Sequence, residues 1–295
     1  MELIVDDTSR FYSLDRLRKL NITLTLHCEN FLRLCTQNIL RMVSAYACCI
    51  IPVRLGSKRI PGKNLKLLGG KPLLAHVLDA ALASQCFERM NICVVSDDER
   101  ALELGKEMNV RSLAIPSAMA GDNSRIIPVL QKGLEMFSNA SLSVGADACA
   151  AAVPNLVCYL RATSPFVRPT TIRNAVKSLL VGTEHGARVD SVVSVKTVTG
   201  AHPSRFKQQD TSTGLLVDSY PEFAEGLQPV SSSKLTALQR SSAVTVMWSE
   251  TLLEQSSLWG KRVKPMVVED EKESIDINTP LEFAFADFLM QQDYR

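Results

Sequence analysis

Between Arg54 and Lys71 the chain carries six basic side chains, Arg54, Lys58, Arg59, Lys63, Lys66 and Lys71, and no acid. They lie in and just after the segment IPVRLGSKRIPGKN (51–64), which directly follows an apolar run that reads as a strand. In parallel α/β sheets ligands bind in the crevice beyond the carboxyl ends of strands, so this cluster would face that crevice. Gly56 and Gly62 permit close backbone approach, and amide N–H groups and cationic tips can then converge on phosphate oxygens. A triphosphate is the natural guest. The bland alternative is a solvated basic turn, and the position after the first strand argues against it. Two familiar phosphate loops do not fit: there is no G-x-G-x-x-G, and a Walker loop would need another glycine spacing and Ser or Thr where Asn64 stands.

The elements that must position this loop are legible from alternation. From Ala45 onward short apolar or β-branched runs alternate with longer helical patterns, which predicts a mostly parallel sheet flanked by helices, an α/β fold of Rossmann-like type. Strands are expected at 45–53, 91–95, 110–115, 156–160, 191–195, 243–247 and 263–268. Helices are expected at 72–85, 98–108, 123–137, 170–180 and 279–290, the last capped by Asn278 with Pro280 in its first turn. Residues 138–153, small and polar without a clear period, read as a surface insertion. Residues 1–41 read as an N-terminal extension, a helical arm with no acid–base constellation, and 42–295 as the functional domain; Met42 stands directly before the core as a candidate start.

Composition narrows the classes. With 46% hydrophobic and 22% charged residues the chain is globular, and a net charge of +2 gives no reason to expect nucleic acid or membrane partners. No apolar stretch approaches the roughly 20 residues of a membrane span. The first ten residues carry acids where a signal peptide needs a positive flank, so secretion is not expected. The eight cysteines lie largely in apolar runs without a C-x-x-C pair, and reduced, buried thiols are expected rather than disulfides or zinc.

The segment 51–64 is similar to the signature of the cytidylyltransferases that make CMP-acylneuraminate and related CMP-activated sugars. The likeness continues through SQCFERMNICVVSD (84–97), AGDNS (120–124), ATSP (162–165), DSVVSV (190–195), His202-Pro203 and SIDINTP (274–280). It implies the nucleotide-diphospho-sugar transferase type of fold and transfer of CMP from CTP to the anomeric hydroxyl of an acylneuraminate-type 2-keto sugar acid, with release of pyrophosphate. Carried over residue by residue, it implies that Val53, Arg54, Leu55, Gly56, Ser57, Lys58, Lys63, Asn64, Asp97, Asp122 and Ser124 hold the nucleotide. Arg54, Lys63 and Asp276 would carry the chemistry, the cations offsetting charge on the α-phosphate and the pyrophosphate. Asp97 and Asp276 match metal-binding carboxylates, with Asn278 supplying a neutral oxygen, and Mg²⁺ is the implied cofactor. A helix cap is the alternative role for Asp97.

The acceptor would meet Arg161, Thr163, Ser164, His202 and Gln239. Arg161 departs from the family's usual Gln, and its planar fork suits a sugar carboxylate, although a solvent-facing role is open to it. Ser241-Ser242-Ala243 stands where the family usually has Asn-Gly-Ala, and Ile115 where an Arg often helps to read cytosine. A synthetase with another nucleotide or sugar, and a diverged non-catalytic nucleotide-binding homologue, are therefore the alternative readings. The resemblance further implies a homodimer and a cytoplasmic location, with a nuclear one open if the source is eukaryotic.

Overall fold

The structure, a computed structural model, describes residues 46–121, 124–143, 153–184, 187–199, 207–219 and 236–293. The chain divides between Ala45 and Tyr46. The expected extension 1–41 lies outside the described residues.

Seven strands form the central sheet: β1 (Ala47–Val53), β2 (Ile92–Ser96), β3 (Arg111–Ala114), β4 (Leu156–Leu160), β5 (Ser191–Thr199), β6 (Thr236–Trp248) and β7 (Val263–Val267). Their order is β7-β5-β6-β4-β1-β2-β3. β1 pairs in parallel with β2 and β4, β2 with β3, and β5 with β7. β6 runs antiparallel to both its neighbours, β4 and β5. The chain winds outward from β1 to β3 and then returns to the other side of β1 as β4. That reversal opens a crevice at the carboxyl ends of β1 and β4, where a doubly wound sheet binds its ligand.

The helices are α1 (Leu73–Ala83), α2 (Glu99–Glu107), α3 (Ile126–Ser143), α4 (Pro169–Val181), the short α5 (Ser249–Leu253) and α6 (Pro280–Asp293). β1 is a near-continuous apolar run because both its faces are covered. Cys48 and Ile50 join Cys93, Val95, Val157 and Met247 under Val129, Leu130, Leu134 and Phe137 of α3. The alternate residues, Cys49 and Ile51, point to the opposite face and are also fully buried. α1 and α4 pack against one another, and α4 lies on β5 and β6. The four cysteines of the central strands (48, 49, 93 and 158) are free and buried, and burial pushes the Cys93 thiol up to about 12.

A second, smaller cluster sets the geometry of the site. Ile60 of the basic loop, Leu68, Leu73 at the start of α1, Ile277, and Phe283 and Ala286 of α6 bury one another, with Phe166, Ile275 and Met290 against them. Burying side chains of this size is worth about 1.5–3 kcal/mol each. The basic loop and the segment 274–280, distant in sequence, are thereby held on one apolar base.

Several boundaries differ from the sequence reading, and three of the differences have a clear physical reason. β6 begins at Thr236 rather than 243, because its first half pairs with β5 beyond the last β4 partner, Leu160, as a two-stranded ribbon. Such a ribbon needs no apolar alternation, and TALQRSS has none. α3 runs on to Ser143, so the start of the expected insertion is helical, and 144–152 lie outside the described residues. Within that continuation Ala140 and Leu142 are the good helix formers. The cap of α6 is Thr279 rather than Asn278: Glu282 accepts from the Thr279 amide at 2.8 Å and the Glu282 amide donates to the Thr279 hydroxyl at 3.2 Å. This reciprocal pair is a capping box.

Candidate active site

Gly62 adopts the left-handed conformation at φ 61°, where a side chain would be strained, and turns the chain into a short 3₁₀ segment, Lys63–Leu65. Asn64, nearly buried, donates from Nδ2 to the Arg54 carbonyl at 3.1 Å and clasps the two ends of the loop. With Ile60 anchored in the apolar cluster, Arg54, Ser57 and Lys63 line a cleft of about 270 Å³ at the sheet's carboxyl edge.

Lys63 reaches across to the segment 276–278. Its Nζ donates to the Ile277 carbonyl at 2.7 Å and lies 3.5 Å from Asn278 Oδ1. Burial pulls the ammonium pKa down, the Asp276 charge opposes this, and Arg54 and Arg59 pull it down further; the net shift is downward. An anion entering beside Lys63 would relieve that strain on its charge.

Asp276 sits behind the far wall. It accepts from the Thr163 hydroxyl, and its other oxygen lies 3.5 Å from Arg161 Nη1. The Ile277 amide donates to the Thr163 carbonyl at 2.9 Å, which locks the two segments together. Arg161 also approaches the Tyr159 ring, 5.9 Å from its centroid. Burial raises the Tyr159 phenol pKa, and the Arg161 charge and hydrogen bond only partly offset it.

Asp97, at the end of β2, accepts from the Leu55 amide at 2.8 Å and so ties β2 to the basic loop. The cap of α2 is its neighbour Asp98, which accepts from the Arg100 amide at 3.1 Å. The alternative role for Asp97 therefore falls to Asp98. Oxygen-only donors suit Mg²⁺, which is commonly held by one or two carboxylates plus substrate phosphates. Among the described residues no three His, Cys, Asp or Glu side chains cluster as a self-sufficient metal cage. Asp97 and Asp276 offer oxygen donors of that kind, but neither lines the cleft and each already accepts a hydrogen bond, Asp97 from the Leu55 amide and Asp276 from Thr163.

The cleft gathers Val53, Arg54, Ser57, Lys63, Asn64, Ser124, Arg161, Thr163 and Asn278 from the expected set. It does not gather Leu55, Gly56 or Lys58, which are on the loop but off its lining, nor the two expected carboxylates, Asp97 and Asp276, which sit behind it in bonds to Leu55 and to Thr163. Ser164 is fully buried and out of a ligand's reach, because the chain turns inward there toward α4. Gln239 is exposed on the β5–β6 ribbon opposite Lys196, outside the cleft. Asp122 and His202 lie outside the described residues. Ser241, expected near the sugar, is buried in the β6 irregularity, where its hydroxyl donates to Ser194 at 2.7 Å.

Sequence reading missed several lining residues: Tyr159, Arg125, Met119 and Val129. Of these only Tyr159 left a signal, a hydroxyl near the carboxyl end of an otherwise apolar strand. The wall formed by Ile115, Met119, Ala120, Ile126 and Val129 is apolar and suited to the flat face of a base.

The comparisons with known proteins bear on this geometry. A model of the cytidylyltransferase family matches residues 48–212. A CMP-N,N'-diacetyllegionaminic acid synthase of Legionella pneumophila is 32% identical over 243 residues, covering 82% of this chain and 95% of that one. The chain belongs to the cytidylyltransferase family. An N-acylneuraminate cytidylyltransferase of Streptococcus agalactiae is 30% identical over 158 residues, which span 54% of this chain and a third (33%) of that longer protein. Among solved structures, a CMP-2-keto-3-deoxy-manno-octonic acid synthetase complexed with CTP superposes with a TM-score of 0.56 at 17% identity, covering 84% of this chain and 99% of that one. A 4-diphosphocytidyl-2C-methyl-D-erythritol synthase of Anaerococcus prevotii gives 0.52 at 16%, over 85% and 99%. At such identities the likeness is one of fold, and it agrees with an α/β sheet flanked by helices.

Proposed function

We propose that this cytidylyltransferase transfers CMP from CTP to the anomeric hydroxyl of a 2-keto sugar acid of the acylneuraminate type. The observation that carries the reading is the cleft itself: Arg54, Ser57 and Lys63 line one side and Arg161 and Thr163 the other, so a triphosphate and an acid acceptor can meet in one space. The sugar hydroxyl oxygen attacks the α-phosphorus, and the bond to the bridging oxygen breaks as pyrophosphate leaves. Such transfer depends on positioning and charge neutralisation rather than covalent help from the protein. Lys63, braced by the Ile277 carbonyl, holds a fixed positive charge where negative charge develops, and Arg54 adds a second. The apolar wall from Ile115 to Val129 takes the base, and Arg161 is the cation available to the acceptor's carboxylate.

Mg²⁺ held by Asp97 and Asp276, with Asn278 as a neutral oxygen donor, would neutralise the triphosphate and draw charge from the leaving group. A homodimer belongs to the same reading; the exposed stripe of Leu281, Phe285 and Phe288 on α6 is apolar surface that a second copy could bury. So does a cytoplasmic location, where CTP is made, and no helix among the described residues is long and apolar enough to cross a membrane. The test is incubation with CTP, with and without magnesium, and a panel of 2-keto sugar acids including acylneuraminates. Pyrophosphate release that requires both magnesium and one of these acids is expected. Tight CTP binding without turnover on any acid would favour the non-catalytic alternative.

A further inference from the structure

Arg161 and Asp276 each have a second claimant in the proposed reaction. The guanidinium that would meet the acceptor's carboxylate stands 3.5 Å from the carboxylate that would help to hold the cation. Both side chains are partly shielded, at 34% and 21% exposure, and both are fixed from behind. Tyr159 backs Arg161, and the Thr163 hydroxyl holds the other Asp276 oxygen. A carboxylate so held has few positions left for a new ligand, and a guanidinium so paired has part of its fork engaged.

We propose that Arg161 is a resident counter-ion of Asp276, which a divalent cation must displace and which, once displaced, is the anchor for the acceptor's carboxylate. The inference rests on the reading above, its first half on the metal assignment and its second half on the acceptor. A cation on Asp276 frees Arg161, and a carboxylate on Arg161 frees Asp276. Metal and acid therefore favour each other's binding by the same factor, as linkage requires. Exchange of partners also limits bare charge: before metal arrives Asp276 is compensated by Arg161 together with the Lys63 charge, and an unpaired Arg161 would be an open anion trap beside the triphosphate loop.

The first arm of the test needs no sugar. Binding of Mn²⁺ alone is measured from the free-ion electron paramagnetic resonance signal for the native chain and the Arg161→Gln, Arg161→Lys and Asp276→Asn variants. Removing a competing ion pair of this exposure is expected to tighten Mn²⁺ in Arg161→Gln by about two- to five-fold, as for a pair worth up to about 1 kcal/mol. Arg161→Lys, which keeps a charge, should stay nearer the native value, and Asp276→Asn should lose the site. Unchanged or weaker Mn²⁺ binding in Arg161→Gln, or no bound Mn²⁺ in either protein, overturns the proposal.

The second arm uses the acid that supports pyrophosphate release in the panel. Without metal, Asp276→Asn should bind that acid about two- to five-fold more tightly than the native chain, the reverse of what a general loss of structure would do. Native protein should show Mn²⁺ tightened by the acid, and Arg161→Gln should not. Tighter Mn²⁺ in Arg161→Gln without this coupling would overturn the exchange of partners. If no acid on the panel reacts, the acceptor reading fails, and the Mn²⁺ arm still decides the counter-ion role.

Discussion

At the scale of single residues, Lys63 has two tasks that measurement can separate. It braces the loop through its 2.7 Å bond to the Ile277 carbonyl, and it presents a charge to the cleft. The bracing bond is one hydrogen bond to a charged donor, worth about 1.5–3 kcal/mol at most. The charge, if it stabilises the transferring phosphoryl group, is worth far more in rate. Lys63→Ala should therefore lose roughly 100-fold or more in turnover with CTP while still unfolding in a single cooperative transition. A loss of less than about threefold would remove Lys63 from the chemistry. The lowered pKa adds a pH dependence: CTP binding should weaken on the alkaline side below the ordinary lysine range, and Lys63→Arg should abolish that limb.

At the scale of elements, α6 is started by its capping box and β7 by a turn that tolerates one residue type. Burial pushes the Glu282 carboxyl up, but the Asn278 and Thr279 amides and the Thr279 hydroxyl outweigh it and hold the pKa below its ordinary value of 4.5. A depressed acid stabilises the fold above its unfolded pKa and loses that contribution as pH falls through the folded value. Glu282→Ala should cost about 1 kcal/mol near neutral pH by chemical denaturation, and the gap from the native chain should shrink below about pH 4. A gap independent of pH would remove the carboxylate's charge from the explanation.

Gly260 presents the steric counterpart. Its φ is +71°, and a Cβ there would lie 2.4 Å from Asp190 Cβ. Asp190 in turn accepts from the Lys261 and Arg262 amides at 2.7 and 2.8 Å, so it cannot retreat without releasing the turn before β7. Gly260→Ala should lose about 1–3 kcal/mol in denaturant unfolding with CTP affinity unchanged, since the turn is remote from the cleft lining. A loss below about 0.5 kcal/mol would mean that the turn yields easily.

At the scale of the whole molecule, every site residue described here lies after Ala45, where the chain divides. A chain beginning at Met42 is therefore expected to keep turnover with CTP within about twofold of the full chain at matched protein concentration. A folded but inactive shortened chain that still binds CTP would place an essential contact in the first 41 residues. The same scale accounts for the small net charge of +2. The cleft gains its positive character from local placement of Arg54, Lys63 and Arg161, which a whole-chain sum conceals.

Sequence alone determined the succession of strands and helices, because apolar runs and helical periodicity record which side chains face the core at each element's own repeat. It also picked out the basic loop as a wall of the site, since residue type alone marks Arg54, Ser57 and Lys63, which do line the cleft. It did not determine that β6 runs against its neighbours or extends as a ribbon, since both faces of a polar strand end read alike without its partner. Nor could it decide which cap serves α6, because Asn278 and Thr279 are equally good candidates until the Glu282 carboxylate is placed. The pairing of Arg161 with Asp276, 115 residues apart, and of Lys63 with Ile277, 214 apart, depended on a shared apolar base that only chain closure assembles. Chemistry of side chains is written locally, whereas the choice of which charge meets which is made by the sheet order and by the core that joins the loop to α6.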